Sequence, residues 1–262
     1  DPGSTSYEKL PRGLRRGIMH IAESLPAHRG VNFFVRKGKD LEERFIGNAY
    51  MFTPKDRKAL LKIHTNAPDP MAITKPYYDQ VKDQDDVTKM QYLDLHLWMA
   101  GDILLKADKM SMANSLELRV PFLDKEVMAL AQRIPTRYRV IHKPSESGGT
   151  PYITKYAMRL AAKKDTPPQT AKTAAKKKLG FPVPIRVWLK EDTYYNMVKN
   201  TFEGNAAQQF FHTEKLVQLL DDHRAGKADN SRKIWTVYMF LVWYHVYFES
   251  DVIPTKPNVS CF

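Results

Sequence analysis

Three consecutive lysines, Lys176, Lys177 and Lys178, run into Gly180, and Pro182 and Pro184 stiffen the chain that follows. Ammonium groups held on a stiff loop can meet a polyphosphate in a fixed geometry and stabilise charge as it builds on a leaving group. A flexible basic tail needs no such fixing. The plainer reading is a solvated run of charge, against which Trp188 argues for a segment that is packed down.

A second cluster ends an apolar stretch. At the helical period Asp102, Lys106 and Lys109 fall within about 60° of one another, while Asp108 falls on the far side. A carboxylate inside an apolar helix is costly unless paired or wetted. Two readings stand: an Asp102–Lys106 salt bridge at i,i+4 with Asp108 hydrogen-bonded to backbone in the core, or a polar stripe lining a substrate pocket. A third cluster is "SLELRVPFLD". The residues before Pro121 should be extended, so Glu117 and Arg119 point the same way and can pair inside a tight connector. "SESGGT" has the glycines of a phosphate-cradling loop, but no Lys or Asp stands where a nucleotide would want one, and it is set aside.

The elements that must position these residues are mainly helical. A helical period follows Pro11, and Asp40 can cap another helix over "LEERFIGNAYMF". Thr53 with Pro54 is a strong start signal. "DVTKMQYLDLHLWMAGDILLKADKMSM" predicts the longest helix, apolar enough to be buried all round. Asp124 caps "KEVMALAQRI" with Glu126 in its first turn. "ITKYAMRLAAKK", "PIRVWLKE" and "TEKLVQLLDDHRAG" are helical, the last with Thr213 as its cap and Gly226 as its stop. "SRKIWTVYMFLVWYHVYFE" should pack into the core. "SLELRV" is the one clean strand alternation. "KPSESGGTP" and "KKDTPPQTAKTAAKKK" read as loops.

Composition narrows the function class. The chain has 262 residues, 43% hydrophobic, and no apolar run reaches the roughly 18 residues that span a bilayer. Its beginning, "DPGSTSYEKL", has neither a methionine nor a signal-peptide pattern and reads as an internal start. A single cysteine, Cys261, allows no disulfide framework and fits a reducing, cytoplasmic compartment. The eight histidines show no metal-ligand spacing, so no metal site is expected. The net charge of +12 calls for an anionic partner. It is concentrated between Pro151 and Lys190, where ten Lys or Arg residues meet one acid, Asp165.

These pieces in this order resemble one family. "GDILLKADKMSMANSLELRVPFLDKEVM", "TKYAMR" and "KKKLGFPVPIRVWL" are similar to the C-terminal part of the glutamine-hydrolysing asparagine synthetases, as are "LPRGLR", "LEERFIGNA" and "DDVTKMQYLD". The resemblance implies the helical C-terminal lobe of an adenine-nucleotide-α-hydrolase-like (ATP pyrophosphatase) synthetase domain over residues 1–262, without its nucleotide-binding α/β half or the glutaminase domain. It implies ATP and Mg2+ in the complete enzyme, with none held tightly by this chain alone. It implies adenylation of the aspartate side chain and its amidation by glutamine-derived ammonia. Carried over residue by residue, Lys178 meets the phosphates with Lys177 beside it. Asp102 and Lys106 shape the active site, Lys155 and Arg159 join the same basic wall, and Glu117 and Arg119 hold their loop. The family's Ser-Gly-Gly-x-Asp-Ser pyrophosphate loop is not in this sequence, so the chain alone should not make asparagine. A homodimer is compatible with the family; a membrane is not expected. Three rivals remain: another amide- or lactam-forming adenylating ligase of the superfamily, a basic helical nucleic-acid-binding module with exposed aromatics, and a paralogue that kept the lobe and lost the chemistry.

Overall fold

A computed structural model describes residues 7, 9–25, 28–48, 50–63, 66–142, 152–176 and 183–250. The protein is mainly helical, with one two-stranded sheet among the described residues. The chain divides into two units: Asp1–Ala49 with Pro68–Leu179, and Tyr50–Ala67 with Gly180–Phe262.

In the first unit the helices Arg12–Glu23 and Arg29–Gly38 pack on each other. Their approach is close: a Cβ at Gly38 would lie 2.5 Å from that of Met19, so only glycine fits. Arg16 reaches Asp40 at 3.2 Å and Glu43 at 2.9 Å, and the backbone N–H of Asp40 donates to Glu43. The helix this caps, Leu41–Arg44, ends far short of the predicted one. Tyr78 is buried and donates its hydroxyl to the Phe45 carbonyl at 2.6 Å. Burial, aided by Glu42, Asp94 and Asp86, pushes that phenol up to about 12.

The long helix expected from Asp86 onward is present as three consecutive parts: α-helical Asp86–Leu93, π-helical Asp94–Leu104 and α-helical Leu105–Met112. Asp85 caps it, accepting from Val87 and Thr88 N–H groups and from the Thr136 hydroxyl at 2.7 Å. The expectation of burial all round fails. No residue between Asp94 and Met112 is buried, and Leu105, Met110 and Met112 are about half exposed or more. Among the described residues this apolar face is at most partly covered. The buried apolar side chains of this unit are few: Met19, Ala22, Val31, Tyr78 and Leu93.

Two further expectations are corrected. "SLELRV" is not a strand. Ser115 takes a left-handed turn (φ 55°), and residues 116–120 belong to no strand among the described residues, so alternation alone did not make a sheet. The paired strands are Val140–His142 and Tyr152–Thr154, antiparallel, with Ile141 opposite Ile153. Part of the stretch read as a loop is the helix Pro168–Ala175. Pro168 at its first position removes a donor that no helix start satisfies, and alanines carry the rest.

The second unit is built around a continuous core of Leu60, Leu189, Val198, Phe202, Ala207, Phe211, Leu216, Leu220, Ile234, Val237 and Leu241. The Pro54–Leu60 helix, remote in sequence, is stitched on through a bridge between Leu61 and Phe211 and an ion pair of Lys233 with Asp56 at 2.9 Å. Thr53 and Asp56 form its capping box. Thr213 is the first residue of the helix Thr213–Arg224 rather than its cap, which is His212, and the helix ends at Gly226, whose φ of 75° suits glycine. His223 is buried between backbone groups: its Nε2 lies 3.0 Å from the Arg186 carbonyl and its Nδ1 3.3 Å from the Asn230 N–H. The Ser231–Tyr244 helix packs Ile234, Val237 and Leu241 into the core, as its apolar sequence predicts.

Candidate functional site

The basic arm of the first unit starts at the short sheet. Tyr152–Thr154 leads directly into Lys155, which is left-handed at φ 56°, ψ 36°. A non-glycine residue there costs about 1–2 kcal/mol, and such outliers concentrate at functional sites. The helix Tyr156–Asp165 follows, then a turn through Pro167 to Pro168–Ala175 packed against it. Lys155, Lys163, Lys164, Lys172 and Lys176 all stand exposed along this arm.

Arg159 is different. Its Nε–H donates to the Thr154 carbonyl at 3.0 Å, and its Nη1 donates to the Lys176 carbonyl at 3.0 Å and to the Ala174 carbonyl. The guanidinium thus faces backbone, one helical turn after Lys155. The side chains of Lys155 and Lys176 make no hydrogen bond or ion pair among the described residues, which leaves both ammonium groups available to an anion. Lys177 and Lys178 lie outside the described residues.

Asp102 and Lys106 end the π-helical segment and begin the next turn, both exposed. The Asp102 carboxylate accepts from Trp98 Nε1 at 2.9 Å. No ion pair joins it to Lys106 among the described residues, so the expected i,i+4 bridge is not made. Asp108 is exposed rather than in the core, because the face it occupies is open. π-Helical turns inside α-helices recur at functional sites, since the extra residue per turn re-aims side chains. Nearby, Asn48 donates to Asp94 at 3.0 Å, yet burial holds the Asp94 carboxyl above the usual carboxylate range.

The connector bears the expected internal pair: Arg119 and Glu117 are joined, both largely exposed. Asp124 accepts from the N–H groups of Glu126 at 2.8 Å and Val127 at 3.3 Å, capping Lys125–Arg133. No group of three His, Cys, Asp or Glu among the described residues could hold a metal ion. Chemically, the arm offers free cations for a phosphate chain, and the helix offers a carboxylate held by an indole. Sequence reasoning assigned Arg159 to the basic wall but not its three carbonyls. Its place one turn after Lys155 was a signal; the left-handed Lys155 had none.

The sequence model of the asparagine synthase family matches residues 10–245. The chain is 43% identical over 251 residues to an asparagine synthetase [glutamine-hydrolyzing] 1 of Bacillus subtilis, covering 95% of this chain and 38% of that protein. It is 37% identical over 255 residues to putative glutamine-hydrolysing asparagine synthetases of Mycobacterium bovis and Mycobacterium tuberculosis, covering 36% of their length. The chain therefore spans well under half of the curated relatives it matches. No solved structure matches it. The family model covers both units and every site segment just described, and the chain belongs to the asparagine synthase family.

Proposed function

We propose that this chain supplies the helical C-terminal part of an ATP-dependent, glutamine-hydrolysing asparagine synthetase acting in the cytoplasm. An oxygen of the aspartate side chain attacks the α-phosphorus of ATP, the bond to the β-phosphate breaks, and pyrophosphate leaves. Ammonia released from glutamine then attacks the acyl carbon, the bond to AMP breaks, and a proton is lost as the amide forms. The observation that carries this reading is the family match over nearly the whole chain, together with the free cations of the basic arm.

In this reading Lys178, the last lysine before Gly180, stabilises charge on the departing pyrophosphate, with Lys177 and Lys155 adding to the local field and Lys176 contributing less. Asp102 and Lys106 border the cleft, the carboxylate held by Trp98. Glu117, Arg119 and Asp124 fix the connector beneath it. ATP in such enzymes arrives with Mg2+; the exposed ammonium groups suit its phosphates, whereas the described residues offer no ligand set for the ion. The adenine-nucleotide-α-hydrolase-like class belongs to this proposal, as does a homodimer.

The test is a chimaera in which this chain replaces the matching 251 residues of the Bacillus subtilis relative. Aspartate-dependent exchange of labelled pyrophosphate into ATP is expected in the chimaera and not in the 262-residue chain alone. A folded chimaera that hydrolyses glutamine but exchanges nothing would refute the reading, and exchange by the isolated chain would refute the dependence on the missing portion.

A further inference from the structure

We infer that Arg159 is a positioning residue rather than a phosphate ligand: it locks the peptide that enters Lys155 to the peptide that leaves Lys176, and so sets where two free ammonium groups start. The inference rests on the phosphate-binding reading of the basic arm.

A guanidinium carries five N–H groups in a rigid planar fork, which suits several fixed acceptors at once. Here Nε takes the Thr154 carbonyl, and Nη1 takes those of Ala174 and Lys176. Each acceptor has a reason to need it. The last carbonyls of Pro168–Ala175 have no intrahelical partner, and the negative end of that helix favours a cation. The Thr154 carbonyl belongs to the peptide bond that sets φ of Lys155, which lies at 56° and would relax to a commoner conformation without restraint. One side chain therefore reaches both ends of the arm, 21 positions apart in the sequence from Lys155 to Lys176. A phosphate that recruited Arg159 directly would have to displace three backbone acceptors, while Lys155 and Lys176 stand exposed without a described partner.

The two roles separate experimentally. A direct phosphate contact needs the charge, which lysine keeps. A fork across three carbonyls needs the guanidinium, which lysine cannot imitate. The experiment compares the chimaera described above, which supplies the rest of the synthetase, with its Arg159→Lys, Arg159→Met and Lys155→Gly variants. It measures amide exchange over residues 152–158 and 170–176, affinity for inorganic pyrophosphate, and thermal midpoint as a check on folding. Both Arg159 variants should speed exchange in both segments and weaken pyrophosphate binding by about tenfold or more, to a similar degree, given what a hydrogen bond to a charged group is worth. The helix Thr213–Arg224 should exchange as in the parent. Lys155→Gly should weaken pyrophosphate binding while leaving exchange over 170–176 unchanged.

Retained affinity in Arg159→Lys beside lost affinity in Arg159→Met would make Arg159 a phosphate contact and overturn the inference. So would unchanged exchange over 170–176 in both Arg159 variants, or affinity lost only in step with the thermal midpoint. Exchange that rises as expected in a chain whose parent form binds no pyrophosphate would overturn the phosphate reading underneath, and with it the purpose assigned to this latch.

Discussion

The two units use similar apolar residues to different ends. The second gathers Phe202, Leu216, Leu220 and Ile234 fully buried into one core, although Val246, Tyr247 and Phe248 at its last helical turn stay exposed. The first leaves Leu105, Met110, Met112, Phe122 and Leu130 about half exposed or more, and it is the unit that carries the described residues of the basic arm, Asp102 and Lys106. The contrast separates two jobs. A closed core is a sufficient reason for a fold, whereas the half-exposed apolar side chains of the first unit are left uncovered among the described residues. The relatives, whose length is mostly outside this alignment, are consistent with that division.

Truncation tests the contrast most severely. Phe202→Ala should destabilise the second unit by about 3–5 kcal/mol, while Leu130→Ala in the first should change the stability of this chain by under about 0.5 kcal/mol. Urea unfolding followed by tryptophan fluorescence and circular dichroism measures both. Comparable losses at the two sites would mean that the first unit is as closed as the second.

The next effect concerns how the first unit is held without a large core. Asp85 opposes its own partial burial with hydrogen bonds from Thr136 and Thr88 and the nearby Arg139, and its carboxyl sits below the usual range. Its stabilisation is therefore present above the unfolded-state carboxylate pKa of about 3.9 and is lost as pH falls through the lower folded value. Asp85→Ala should remove about 1–2 kcal/mol at neutral pH through the lost cap. The deficit should shrink in acid; a deficit independent of pH would show that the charge plays no part.

Lys155→Gly should act in the opposite direction, stabilising the chain by about 1 kcal/mol because glycine accepts the left-handed backbone without strain. Differential scanning calorimetry decides it, and a destabilised variant would mean that the lysine stem contributes packing that outweighs the strain. The smallest effect is at Asp94. Burial raises its carboxyl despite the Asn48 hydrogen bond, so its folded pKa lies above the unfolded one. Its favourable contribution is present below the unfolded pKa and disappears as pH rises through the folded one. Asp94→Asn should gain up to about 0.5 kcal/mol at pH 7 and nothing in acid. An equal gain at both would point to packing instead.

What was legible in the sequence was local. Thr53 with Pro54, Asp124 and Gly226 mark helix ends through their own backbone chemistry, and all three stand where expected or within a residue of it. The family was legible because its motifs keep their order. What failed depends on distant parts of the chain. The apolar run through Leu105 revealed a face that wants cover but not what provides it. The alternation of "SLELRV" could not reveal that no strand lies beside it among the described residues. The role of Arg159 needed Lys176 brought back to it by a turn at Pro167, which no residue-by-residue reading supplies. Lys178, proposed from the sequence as a site residue, lies outside the described residues.

That assignment is also where the account is most directly exposed. In the chimaera, Lys178→Ala should lower asparagine synthesis by roughly 10²–10³ in kcat, as expected for removal of one charge-stabilising donor. Lys176→Ala should have a much smaller effect, and both should keep glutamine hydrolysis. Equal losses from the two substitutions, or mild losses from both, would contradict it and leave only a diffuse positive patch.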